Sequence, residues 1–187
     1  VVEVFDTRPA VKEEVQSLGA KFIEVAGAAD ASAAGGYAVE QSEAYQQTQR
    51  QRIAESVQKA DVVITTAQIP GKKAPVLLTQ EMLESMRPGS IVIDLAAATG
   101  GNTAVTRNGE TVHVGGVQVI GDSALAATMP YDASRLYGKN VLNFLQLLVN
   151  SNGVLEPQWQ DELVNGCCAV KAGAVLHPRL QELTSTV

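Results

Sequence analysis

The chain has 187 residues, 45% of them hydrophobic and 18% charged, which excludes a disordered chain and supports a sizeable core. Asp and Glu number 20 against 14 Lys and Arg, a formal net charge of −6, so a dedicated nucleic-acid binder with a clustered basic surface is disfavoured. Aromatic residues make up only 4%, so the core must be aliphatic, as in Val/Ile/Leu-rich parallel sheets.

Val1 to Phe5 is β-branched and apolar and ends at Asp6, which predicts a buried strand. A helix follows, with Pro9 in its first turn, Val11, Val15 and Leu18 at helical spacing, and Gly19 at its C-terminal end. Lys21 to Val25 is a second short strand. Ala26 to Gly36 is almost wholly Ala, Gly, Ser and Asp and reads as a surface loop. Val39 to Lys59, rich in Gln, Glu and Arg and free of Gly and Pro, reads as a solvent-facing helix.

Asp61 to Thr66 is the next strand, and the prolines and glycine of Ala67 to Pro75 make a loop. Thr79 opens a helix to Met86, with Glu81 and Glu84 near its positive end. Ser90 to Leu95 is nearly continuous in apolar residues, which predicts a strand buried on both faces. After Gly100-Gly101-Asn102 come two strand-like pieces, Thr111 to Val114 and Val117 to Ile120. Asp132 or Ser134 is expected to cap a strong helix whose apolar stripe includes Leu136, Tyr137, Val141, Phe144, Leu145 and Leu148. Beyond the linker Ser151-Asn152-Gly153, residues Val164 to Pro178 read as a hairpin around Ala172-Gly173. Cys167 and Cys168 are adjacent, without a His/Cys cluster near them, and read as reduced, inert thiols. No run approaches a membrane span and no signal peptide is visible, so a cytoplasmic protein without a metal site is expected.

Strand-helix alternation predicts an α/β fold: a doubly wound parallel sheet of the Rossmann-like, nucleotide-binding kind. Ligands of such sheets bind outside the carboxyl ends of the strands, which singles out Asp6-Thr7-Arg8, Thr66-Ala67-Gln68 and Asp94 to Asn102. An acidic residue in the place of Asp6 can accept from the hydroxyls of an adenosine ribose and disfavour a 2′-phosphate. It can equally cap the helix that follows. Arg8 suits a phosphate or an ordinary surface charge. Gly35-Gly36-Tyr37 suits a hinged lid or an anchored loop end. Thr66-Ala67-Gln68-Ile69-Pro70-Gly71 suits a nucleotide-lining turn or a plain βα turn. Asp94 is as readily structural as catalytic, and His113 and His177 lie in peripheral segments.

Val1 to Ala10, Gly35 to Ala38, Thr65 to Pro75, and Ile93 to Ala96 with Gly100-Gly101-Asn102 together resemble the NAD-binding domain I of proton-translocating NAD(P) transhydrogenases. Asp132-Ala133-Ser134, Leu136-Tyr137 and Lys139-Asn140 fit the same family, in the same order. The resemblance implies an NAD(H)-binding domain over residues 1–150 that lacks its first strand and Gly-rich turn. It implies a C-terminal extension over 151–187 that packs on an absent first half of domain I. It further implies direct hydride transfer between NADH and NADP+, with NADP(H) on a partner domain III, coupled to proton translocation by a membrane domain of the beta subunit. Domain I homodimers and a peripheral position on the cytoplasmic side of the membrane belong to the same expectation.

By resemblance, Asp6, Thr7 and Arg8 hold the ribose side, Gly36 and Tyr37 belong to a loop that closes over the nucleotide, and Gln49, Thr66, Ala67 and Gln68 make further contacts. The family usually has Leu where this chain has Gln68, so a backbone contact is expected there. No catalytic residue is assigned, because hydride passes directly between nicotinamides and the protein supplies alignment and exclusion of water. The rival family, alanine dehydrogenase, shares the sheet and the Pro-Gly-x-x-Ala-Pro turn but needs a carboxylate where this chain has Ala98. A non-catalytic NAD-binding module is the alternative of another class.

Overall fold

The computed structural model describes residues 1–8, 11–25, 43–69, 71–177 and 180–181. The chain divides into two compact units, Val1–Ala124 and Leu125–Val187.

In the first unit, β1 (Glu3–Val4) and β2 (Lys21–Phe22) pair in parallel, joined through α1 (Val11–Ser17). Gly19 ends that crossover at φ 80°, a conformation glycine adopts without steric cost, and its N–H donates to the Gln16 carbonyl. Leu18, expected on the apolar stripe, lies past the helix end and is exposed. A second sheet holds β3 (Val62–Thr65), β4 (Ile91–Asp94), β5 (Thr111–Val114) and β6 (Val117–Ile120) in the order β3-β4-β6-β5. β3, β4 and β6 run parallel, and β5 joins β6 antiparallel as a hairpin over Gly115-Gly116. The expected doubly wound fold is therefore present as a mixed sheet with helical crossovers.

One face of this sheet is covered by α2 (Glu43–Val57) and α3 (Gln80–Glu84). Thr79 caps α3 as anticipated, its Oγ1 accepting from the Met82 N–H at 3.3 Å. Leu83 and Met86 meet Leu78, Val92, Val117 and Val119, together with Ile53 and Val57 of α2. Full burial of each such aliphatic side chain stabilises by about 1.5–3 kcal/mol. The polar composition of Val39 to Lys59 predicted a solvent-facing helix. Instead Tyr45, Ile53 and Val57, spaced in multiples of four, are buried, and Gln49 is half-buried on the same stripe. A short apolar stripe suffices to dock a helix whose other positions are mostly polar or charged.

No helix among the described residues of this unit covers the opposite face. Period-2 alternation places Val62 and Ile64 there, 57% and 60% exposed, while Val63 packs on the helix-covered core. Burial of β4 on both faces was expected, but Ile91 and Ile93 are only half-buried.

The second unit contains α4 (Leu125–Thr128), α5 (Pro130–Leu148), α6 (Glu162–Cys167) and a hairpin of β7 (Val170–Lys171) and β8 (Ala174–Val175). α5 starts at Pro130, before the caps expected at Asp132 or Ser134, because proline suits the first helical position, where no intrahelical N–H is needed. Its stripe residues Leu136, Tyr137, Val141 and Leu145 are exposed. The hairpin turns at Ala172-Gly173 as expected, but Val164 belongs to α6, capped by Asp161. No helix among the described residues is long and apolar enough to cross a membrane.

Candidate functional site

The exits of parallel strands in the two sheets carry the candidate residues. β4 ends in Asp94, which is fully buried. Its Oδ1 accepts from the Ala96 N–H at 3.0 Å. Its Oδ2 accepts from the Asn102 N–H at 2.6 Å, the Thr103 N–H at 3.2 Å and the Thr106 hydroxyl at 2.6 Å. Four donors on one carboxylate satisfy the condition under which a buried acidic group is tolerated. Thr106 has spent its proton on Asp94, so the Thr103 hydroxyl donates to Thr106 Oγ1 across 2.7 Å. Thr103 Oγ1 in turn accepts from the Val105 and Thr106 N–H groups. Asp94 is thus a strut that folds residues 96–106 back onto the strand end.

Gly101 makes the close approach possible. It sits at φ 79°, and a Cβ there would lie 2.6 Å from Thr106 Cβ and 2.9 Å from Asp94 Oδ2. The next residue, Asn102, is also fully buried. Its side-chain Oδ1 accepts from the Ala67 N–H at 3.0 Å, and its Nδ2 donates to the carbonyls of Ala67 and Pro75, both at 2.8 Å. Gln68 Nε2 donates to the Leu95 carbonyl at 3.2 Å. The turn Thr66-Ala67-Gln68 is therefore tied to the exit of β4 by side chains from both directions. Thr66, Gln68 and Ile69 remain exposed, and Ala67 is half-buried. Thr65, one residue earlier, has a buried hydroxyl with no hydrogen-bond partner among the described residues.

At the exit of β1, Asp6 Oδ1 accepts from the Arg8 N–H at 2.8 Å and Nε at 3.0 Å, and Oδ2 meets Arg8 Nη2 at 2.8 Å. Burial alone would raise the Asp6 carboxyl. Hydrogen bonds from the Arg8 side chain and backbone, the guanidinium charge and the Thr7 amide together outweigh it and hold the group below its ordinary value. The same pair raises Arg8. The first described residue of α1 is Val11, five positions after Asp6, and the Asp6 carboxylate bonds Arg8 within its own turn. Thr7 is half-buried beside the pair. Tyr45, buried at the start of α2, is raised first by its own burial and then by the charge of Asp6. Gln49 lies one turn further along the same stripe of α2.

The structure thus brings Asp6, Thr7 and Arg8 together at one exit and Thr66, Ala67 and Gln68 together at another. Gly36 and Tyr37 lie outside the described residues. Sequence reasoning placed Asn102 at the end of a candidate segment without giving it a role, and it missed Thr106 and Tyr45. Only the Gly-Gly-Asn run hinted at Asn102, since paired glycines bring whatever follows close to the backbone. Ala98 sits exposed in the 3-10 turn Ala97–Thr99, with no carboxylate at that position. No group of three or more His, Cys, Asp or Glu stands ready to hold a metal among the described residues.

Comparison with known proteins adds identity to this geometry. The chain is 44% identical over 183 residues to an NAD(P) transhydrogenase alpha-subunit protein of Rhodospirillum rubrum, covering 96% of this chain and 48% of that relative. A solved transhydrogenase structure from Sinorhizobium meliloti superposes with a TM-score of 0.71 at 42% identity, covering 94% of this chain and 45% of the other. An L-alanine dehydrogenase structure shares the fold, with a TM-score of 0.65 at 23% identity over 99% of this chain and 46% of the other. The chain spans about half the length of the curated relative named here. The family model described as alanine dehydrogenase/PNT, C-terminal domain, matches residues 1–178, and the chain belongs to that family.

Proposed function

We propose that this chain forms the NAD(H)-binding part of a proton-translocating NAD(P) transhydrogenase. The observation that carries this reading is the Asp6 carboxylate at the exit of a parallel strand, aimed by Arg8, with one hydrogen bond on Oδ2 among the described residues. Carboxylate oxygens have two lone pairs each, so Oδ2 retains capacity for a ribose hydroxyl. The residues present fit NAD(H): an oriented acceptor for the ribose, exposed polar groups on Thr66 and Gln68, and the exposed apolar surface of Ile69. A 2′-phosphate would meet the negative charge of Asp6, which favours NAD(H) over NADP(H).

In this reading Asp6, Thr7 and Arg8 hold the adenosine ribose, and Gln49 and the Thr66-Ala67-Gln68 turn line the remainder. Gly36 and Tyr37 close over the nucleotide. The bound nicotinamide supplies the hydride chemistry, and the chain aligns it and excludes water. Its partners are an NADP(H)-binding domain III, a membrane domain that couples the reaction to proton movement, and a second domain I. The protein works at the cytoplasmic face of a membrane through those partners. Ala98, standing where an alanine dehydrogenase needs a carboxylate, supports transhydrogenase over that rival.

The test is titration of NADH and NADPH into the naturally encoded protein, wild type and Asp6→Asn. NADH should bind at least about tenfold more tightly than NADPH, and Asp6→Asn should weaken NADH by about 1–3 kcal/mol and narrow the discrimination. Unchanged NADH affinity in Asp6→Asn would remove Asp6 from the site.

A further inference from the structure

Asn102 has every kind of hydrogen-bonding group it owns engaged, and it is fully buried. Its main-chain N–H goes to Asp94, and its carbonyl accepts from the Leu77 N–H at 2.8 Å and the Leu78 N–H at 3.0 Å. Its side chain holds both main-chain groups of Ala67 and the carbonyl of Pro75. The amide orientation follows from chemistry: Nδ2 faces two carbonyls and Oδ1 faces an N–H, and a flipped amide would oppose like to like on all three contacts. The regular pairing of β3 with β4 stops at Thr65 opposite Asp94. Two residues on, a single side chain does for Ala67 what a neighbouring strand would have done.

We propose that Asn102 is the positioning residue of the nucleotide-lining turn. It sets the Thr66-Ala67-Gln68 segment against the 75–78 segment in one geometry, and Asp94 fixes Asn102 in turn. By occupying the N–H and carbonyl of Ala67, it also decides which groups a nucleotide can use. Thr66 and Gln68 offer polar contacts, whereas the N–H of Ala67 is already taken by Asn102 Oδ1. The proposal rests on the NAD(H) reading of this turn.

Asn102→Asp is the diagnostic change, because it keeps the shape and replaces the Nδ2 donor by an oxygen facing two carbonyls. In the naturally encoded protein it should weaken NAD+ binding about tenfold or more at about pH 8. The deficit relative to wild type should shrink toward about pH 5, as the buried Asp takes up a proton and regains one O–H donor. A second readout needs no ligand. The Ala67 amide of the wild-type protein should be protected from hydrogen exchange like the amides of the strands, and Asn102→Ala should release it while β5 and β6 keep their protection. Equal NAD+ affinities, a deficit that does not change with pH, or an unprotected Ala67 amide would each overturn the proposal. If the wild type binds no NAD(H) while Ala67 is protected and Asn102→Ala releases it, the nucleotide reading fails and the positioning of the turn stands.

Discussion

Replacing Asp94 by Asn exchanges one oxygen for an NH2 of the same size inside a cage of four donors. The amide has two orientations. Turning Nδ2 toward Oδ2's place would strand three donors: the Asn102 and Thr103 N–H groups and the Thr106 hydroxyl. The better orientation sets Nδ2 against the Ala96 N–H, losing that 3.0 Å bond and keeping the other three. Loss of a hydrogen bond to a carboxylate costs about 1.5–3 kcal/mol, and a stranded buried amide costs about 1–3 kcal/mol. The two overlap, so the loop over 96–106 should open more easily by about 3 kcal/mol, or roughly 100-fold. Because the chain forms two compact units, a single global melt would blend their transitions. Amide hydrogen exchange of Asn102 and Thr103 reads the loop directly. A rise of less than about tenfold would refute the view that Asp94 is the strut of this loop.

Two further predictions concern strand exits. Thr65→Val removes a buried hydroxyl that has no partner among the described residues. It should be neutral or stabilising by up to about 1 kcal/mol in urea unfolding followed by exchange of the β3 amides, and a clear loss would place a partner on that hydroxyl. Asp6 has a folded-state pKa below its unfolded value, so the unfolded chain binds the extra proton and stability rises with pH across that window. Its contribution is complete above about pH 4 and is lost as pH falls through the lower folded value. The side chain is 24% exposed, so the stability gap between wild type and Asp6→Asn should be no more than about 1 kcal/mol at neutral pH, vanishing in acid. A gap that persists below the folded value would assign the effect to packing.

What the residues revealed in advance depended on how local the signal was. Strands β3, β4, β5 and β6 were legible because β-branched runs and Gly or Pro boundaries are local features, and Thr79 announced α3 by its capping chemistry. α6 is six residues long and contains Gly166, too short for helical periodicity to show. The buried stripe of α2 was hidden by Gln, Glu and Arg on its other faces, since Tyr45, Ile53 and Val57 are sparse among fifteen residues. That the described strands fall into two separate sheets, β1-β2 and β3-β4-β6-β5, was not legible, because pairing between strands is a non-local property. At the site, Asp6 with Arg8 was readable because its partner is two residues away. The partners of Asp94 lie up to twelve residues on, and Asn102 reaches back thirty-five to Ala67, through a loop without periodicity. Their roles needed coordinates.

The central claim is that NAD(H) lies across the strand exits with its adenosine ribose on Asp6. A crystal structure of the naturally encoded protein with NADH bound tests it most directly. The account predicts a ribose hydroxyl within about 3 Å of Asp6 Oδ2 and the dinucleotide running toward the Thr66-Ala67-Gln68 turn. A nucleotide bound elsewhere, or a ribose out of hydrogen-bond reach of Asp6, would contradict it.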